Sequence, residues 1–210
     1  VEDRVRVSLM ATLDFESFTR RGPVLNLDMR NVVLFPEKIK GRYVALFRPN
    51  DVSANETGGK YTQIRIGYSD DWKSNQWALE ERPVMQPCFG PSAFSNKIGP
   101  CAPPIKTEKG RHNIFDGVRT TMDGNPYVLG VALHDLENPR QVKMCSMPIL
   151  FPSRADCRLA EEDYIHVPNV VFCCGALGRE DGAIFIYYGG NDTVMNVGVT
   201  HQDVLIALLM

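Results

Sequence analysis

Several charged side chains stand where a folded chain would hold them, at the ends of predicted strands. Arg48 closes an apolar run ahead of Pro49, Lys106 precedes the turn glycine Gly110, and Asp116 lies just before Gly117 with Arg119 three residues on. Arg30 and Asn31 open another apolar run, and Asp192 follows Gly189-Gly190-Asn191. A guanidinium at a strand end can fork onto an anion or onto hydroxyls, and an ammonium offers a point charge. A loop carboxylate can accept two hydroxyl bonds. Each residue also has a plainer reading. Lys106 shares its turn with Glu108 and Lys109 and would be a solvated lysine there. Arg48 would pair across strands with Glu37, Arg30 and Asn31 would cap a strand, and Asp116 and Asp192 would cap turns.

Composition narrows the ligand. The net charge over 210 residues is −2 and the basic residues are scattered singly, so the stripe expected of a nucleic-acid binder is missing. Apolar residues at 44% and charged residues at 23% describe an ordinary folded domain rather than a disordered one. Apolar runs such as residues 204–210 are far short of the roughly 20 residues of a membrane-spanning helix, so no membrane partner is expected. Six cysteines are too few for a disulfide scaffold and none has zinc-site spacing; the four histidines form no cluster, so no metal is expected. Cys173 and Cys174 lie in an apolar run and read as buried thiols. The sequence opens on Val1 without a signal-peptide pattern.

The elements that must position these residues repeat along the chain. A strand followed by an acidic and then an apolar residue occurs at residues 7–15, 64–72 and 128–136, with a fainter copy at 195–204. Between these copies lies a second type: an apolar run, a glycine-bearing turn and another strand. Its copies are residues 32–48, 102–118 and 169–189, with turn glycines Gly41, Gly110 and Gly182. Short strands recurring at this period predict an all-β propeller. Helix is expected only over residues 203–210. Four copies of the first type meet three hairpins, so the chain should supply about three and a half blades of a single partial propeller domain, with its N-terminal blades upstream of Val1.

Several stretches resemble one family. They include Arg30-Asn31-Val32-Val33-Leu34-Phe35-Pro36, Lys97-Ile98-Gly99-Pro100-Cys101-Ala102-Pro103-Pro104-Ile105-Lys106-Thr107 and Tyr187-Tyr188-Gly189-Gly190-Asn191-Asp192-Thr193. In order and along almost the whole chain, these resemble glycoside hydrolase family 130, the β-mannoside phosphorylases and β-mannosidases. The resemblance implies a five-bladed β-propeller with a central active site. It also implies cleavage of β-linked mannosides with inversion, by phosphate in a phosphorylase or by activated water in a hydrolase. A non-catalytic carbohydrate-binding propeller is the alternative. No cofactor is implied, and inorganic phosphate would be the co-substrate of a phosphorylase.

The family's general acid, an aspartate in a short Asp-Pro-Arg or Asp-Met-Arg motif, has no counterpart here and is expected upstream of Val1. The resemblance puts Lys106 at the phosphate end of the pocket. Arg30, Asn31, Arg48, Asp116, Arg119 and Asp192 are the other candidates for binding sugar or phosphate. Aligned on the hairpin glycines, Phe47, Asp116 and Tyr188 are equivalent, and the family often carries histidine at the first two. A carboxylate at 116 would repel phosphate, which predicts hydrolysis or relaxed phosphate dependence unless Arg119 pairs with it. Glu37, Glu80 and Glu81 are candidates for a hydrolytic base. Trp72 and Trp77 could stack on sugar rings, with a blade-core role favoured for Trp72. An oligosaccharide is the expected partner and homo-oligomerisation is left open. Cytoplasmic location is expected, with periplasmic as the alternative.

Overall fold

The structure, a computed structural model, describes residues 4–50, 63–88, 90–156 and 167–210. Among these residues it holds fourteen strands and one short helix. Strands β1 (Ser8–Ala11) and β2 (Thr19–Pro23) form a two-stranded sheet. Next come β3 (Met29–Leu34), β4 (Tyr43–Pro49), β5 (Arg65–Ser69) and β6 (Ala78–Leu79), paired in that order. In the third sheet, β7 (Lys97–Pro100) and β8 (Ile105–Thr107) both pair with β9 (Gly110–Val118), followed by β10 (Tyr127–His134) and β11 (Val142–Met144). The last sheet is β12 (Val171–Gly178), β13 (Ala183–Gly190) and β14 (Val194–His201), and helix α1 (Gln202–Ala207) follows it. All pairing within the sheets is antiparallel.

The repeat maps directly onto these sheets. Each hairpin segment supplies the first strands of a sheet, and each strand of the other type becomes the next one outward: β5, β10 and β14. The hairpin turns need backbone that side chains resist, and Gly41 and Gly182 supply it at φ 80° and 84°. Strand residues such as Val, Ile, Phe and Tyr suit a pleated surface buried on both faces.

Successive sheets pack face to face in chain order, as propeller blades do. Leu46 and Ile66 of the second sheet, with Ile64 just before β5, join Ile98, Phe115 and Leu129 of the third and Val171, Ile184 and Ile186 of the fourth in one continuous core. A second core of Val24, Met29, Ala45, Phe47 and Trp77, with Val7 and Leu9 against it, seats the first sheet on the second. Aromatic rings lie on strand glycines: a Cβ on Gly117 would sit 2.1 Å from Phe94, and one on Gly130 would sit 2.4 Å from Phe115.

Some local expectations shift. Within the first repeat copy, residues 7–15, the strand covers only Ser8–Ala11. Asp14 accepts the N–H groups of Glu16 and Ser17 at 2.9 and 2.8 Å and curls the chain into a turn there. The terminal helix is six residues long, with the His201 side chain accepting from the Asp203 N–H at its start. Cys173 is buried but Cys174 is exposed, because a bulge between Cys173 and Gly175 turns the intervening side chain outward. Trp77 packs edge-on against Phe47 at 5.5 Å and Trp72 packs beside it, so both indoles belong to the second core.

Candidate active site

The first strands of the sheets begin at one end of the fold, and their polar starts converge there. Arg30 and Asn31 come from β3, Arg48 from the end of β4 and Lys97 from the start of β7. Together with Asn50, Tyr127, Phe172 and Asp192 they line a cleft of about 610 Å³. A neighbouring cleft shares Lys97, Tyr127, Val167 and Val170 with it. Among the described residues, three cationic side chains therefore face this space against one carboxylate, Asp192.

Each lining residue is held by its strand or loop. Asn31 donates to the Pro100 carbonyl at 3.1 Å, tying β3 to β7. The Asp28 carboxylate accepts from the Val5 N–H and from the Asn50 amide at 3.0 and 2.8 Å, fixing one rim. Lys97 donates to the Tyr127 hydroxyl and lies 4.4 Å from the centre of its ring. Asn191 and Asp192 both adopt left-handed backbone, at φ 50° and 52°. The buried Asn191 carboxamide accepts from the Val170 N–H at 3.0 Å and so pins the loop that carries Asp192 to the cleft.

Asp116 lies behind the wall rather than on it. It is fully buried in β9, opposite Gly99 of β7. The Cys101 thiol donates to its Oδ1 at 3.3 Å. Burial pushes the Asp116 carboxyl above the usual carboxylate range, while Arg48 above all, then Cys101 and Lys97, pull it back. Burial, helped by the Asp116 charge, drives the Cys101 thiol well up. The cations acting on Asp116 are thus Arg48 and Lys97. Arg119 lies exposed beyond the end of β9 and does not line the cleft.

The structure brings Arg30, Asn31, Arg48 and Asp192 together, with Asp116 just behind. Lys106 lies elsewhere. Lys97 pairs opposite Val118 and Lys106 opposite Arg111, seven residues apart along β9, or roughly 20 Å at about 3.3 Å per residue. Glu37 joins Lys106 and Arg111 there, not Arg48. Glu80 pairs with Arg140, and Glu81 is exposed. Among the described residues no group of three or more His, Cys, Asp or Glu side chains could hold a metal ion, and no helix is long and apolar enough to cross a membrane.

Among the described residues, Lys97, Asn50 and Tyr127 are the polar lining residues that sequence reasoning left out. One signal was available for Lys97, since it opens the Lys97-Ile98-Gly99-Pro100 stretch as Arg30 opens its own.

A family model described as beta-1,4-mannooligosaccharide phosphorylase matches residues 3–210. A 1,2-beta-oligomannan phosphorylase of Thermoanaerobacter is 36% identical over 94% of this chain and 59% of its own. A beta-1,4-mannooligosaccharide phosphorylase of Ruminococcus albus is 33% identical over 94% of this chain and 55% of its own. The solved beta-1,2-mannobiose phosphorylase of Listeria innocua, in complex with beta-1,2-mannobiose, superposes with a TM-score of 0.80 at 32% identity, over 99% of this chain and 54% of that one. The chain spans about half the length of these relatives.

Proposed function

The chain belongs to glycoside hydrolase family 130, and from that premise we propose that the whole protein cleaves β-mannosides by inverting phosphorolysis. The observation that carries this reading is the charge of the cleft among the described residues: Arg30, Arg48 and Lys97 face it, Asp192 is the one carboxylate among them, and Asp116 is withdrawn behind the wall. Inorganic phosphate sits against Arg48 and Lys97, whose charges offset its own. Arg30, Asn31 and Asp192 hold hydroxyls of the mannosyl ring.

A phosphate oxygen attacks the anomeric carbon as the glycosidic bond breaks on the opposite face. A carboxylic acid gives its proton to the leaving oxygen, so the products are mannose 1-phosphate and a shortened saccharide. That acid comes from the part of the protein that this chain does not span, which also completes a five-bladed ring. The repulsion expected from a carboxylate at 116 is offset by Arg48 and Lys97 and by its burial behind the cleft wall. The non-catalytic alternative has no support among the relatives.

The test is product analysis with the full-length protein on β-1,2- and β-1,4-mannobiose, with and without inorganic phosphate. Mannose 1-phosphate formed only with phosphate is the expected result, and the better substrate assigns the linkage. Free mannose released equally well without phosphate overturns the reading in favour of hydrolysis.

A further inference from the structure

Asp116 is a fully buried carboxylate whose Oδ2 has no hydrogen-bond partner. Arg48 is itself only 4% exposed, and its Nε is likewise unpartnered. Between them stands Gly99. A Cβ at that glycine would lie 2.6 Å from Asp116 Oδ1 and 3.0 Å from Arg48 Nη1, so the two groups come within about 6 Å of each other through space that only glycine leaves open. A buried charge without a counter-charge is costly, and Arg48 is the cation that acts most strongly on Asp116. The groups facing the carboxylate are Arg48 from β4, Lys97 from β7, Cys101 just after β7, and Cys173 from β12.

We propose that Asp116 is a positioning residue: facing Arg48 across the opening at Gly99, it sets the direction in which the guanidinium presents its outer N–H groups to an anion in the cleft. This rests on the phosphorolytic reading above. Asp116 does not line the cleft, so it acts through Arg48. The Cys101 thiol, donating to Oδ1, fixes the carboxylate in turn. A guanidinium recognises a tetrahedral anion by a planar fork, so its orientation matters as much as its charge. The arrangement also explains the Gly99–Asp116 pairing in one strand register: any side chain at 99 would separate carboxylate from guanidinium.

The experiment is a double-mutant cycle in the full-length protein: wild type, Asp116→Asn, Arg48→Lys and the double variant. Measured for each are the KM for inorganic phosphate, the KM for mannobiose, kcat and the melting temperature. Asp116→Asn is expected to raise the phosphate KM about 10- to 100-fold, the range typical when a supporting partner or about 1 Å of placement is lost, with the mannobiose KM little changed. In the Arg48→Lys background the same change should add almost nothing.

An equal penalty in both backgrounds, or a phosphate KM unchanged or lowered by Asp116→Asn, overturns the proposal. If Asp116→Asn does not fold, Cys101→Ala is the second variant. It keeps both charges and should raise the phosphate KM by a smaller factor, and an unchanged KM overturns the proposal. If the wild type proves to be a hydrolase, the phosphorolytic reading fails separately. The cycle is then read from the mannobiose KM, where additivity overturns the coupling.

Discussion

The Lys106 ammonium stands 2.7 Å from Glu37 Oε2, and the Arg111 guanidinium reaches the same oxygen at 3.7 Å. This cluster sits at the other end of β9 from Lys97 and the cleft. Lys106 holds the Glu37 carboxyl below its usual range by a hydrogen bond and by charge, which is the behaviour of a solvated ion pair.

Lys106→Ala is therefore expected to leave kcat and the phosphate KM within about twofold of wild type and the melting temperature almost unmoved, as exposed ion pairs contribute little. Steady-state kinetics and a melting curve on the full-length protein check this. A tenfold fall in turnover would return Lys106 to the phosphate end of the pocket, where the family resemblance puts it.

Arg30→Ala and Asp192→Asn should raise the mannobiose KM and spare the phosphate KM, since the proposed function assigns both side chains to the mannosyl ring. A hydrogen bond to a charged group contributes about 1.5–3 kcal/mol, so each change should cost roughly 10- to 100-fold in kcat/KM for the sugar. Equal effects on both substrates would argue that these residues shape the cleft as a whole.

His134 gives a pH signature. Burial holds its imidazole pKa down at about 4. Nδ1 faces the Pro139 carbonyl at 2.7 Å and Nε2 faces the Asn113 amide at 3.3 Å, an arrangement suited to the neutral ring donating through Nδ1 and accepting at Nε2. The unfolded chain takes up this proton near 6.5 and the folded chain only near 4. Stability from this group is complete above about 6.5 and is lost as pH falls towards 4, by at most about 1.4 kcal/mol per pH unit. His134→Gln removes that slope, so the stability difference from wild type should narrow between pH 6.5 and 4 in denaturant titrations. A constant difference would show that His134 does not titrate there.

Gly117→Ala tests the packing of rings on strand glycines. The new methyl would lie 2.1 Å from the Phe94 ring, and Phe94 is fully buried against Phe115. The ring has nowhere to go, so the change should destabilise by roughly 1–3 kcal/mol, as overpacked cores do. Phe94→Leu in the same chain should recover part of the loss, which a melting experiment on the two variants would read.

The repeat made the architecture legible because its marks are local: a glycine where the hairpin needs left-handed backbone, and an outer strand ending in an acidic turn. The site was legible where it coincides with those marks, at Arg30, Asn31, Arg48 and Asp192. Lys97 escaped because the first strand of its sheet is broken between Pro100 and Ile105, so the hairpin unit taken from residue 102 begins after it. The surroundings of Asp116 were less legible, for a geometric reason. Residues three apart in extended chain point to opposite faces, so Arg119 is poorly placed to pair with it, whereas Arg48 approaches Gly99 and Asp116 from the neighbouring sheet, a placement that no spacing within one strand encodes.

Each sheet is made of strands consecutive in the chain: the second spans Met29–Leu79, the third Lys97–Met144 and the fourth Val171–His201. During synthesis, each sheet can close its own backbone hydrogen bonds before the next has left the ribosome. Each finished sheet then offers an apolar wall on which its successor condenses. Local pairing of this kind favours fast, vectorial folding. The cleft, whose side chains come from different sheets, is assembled only when those sheets dock.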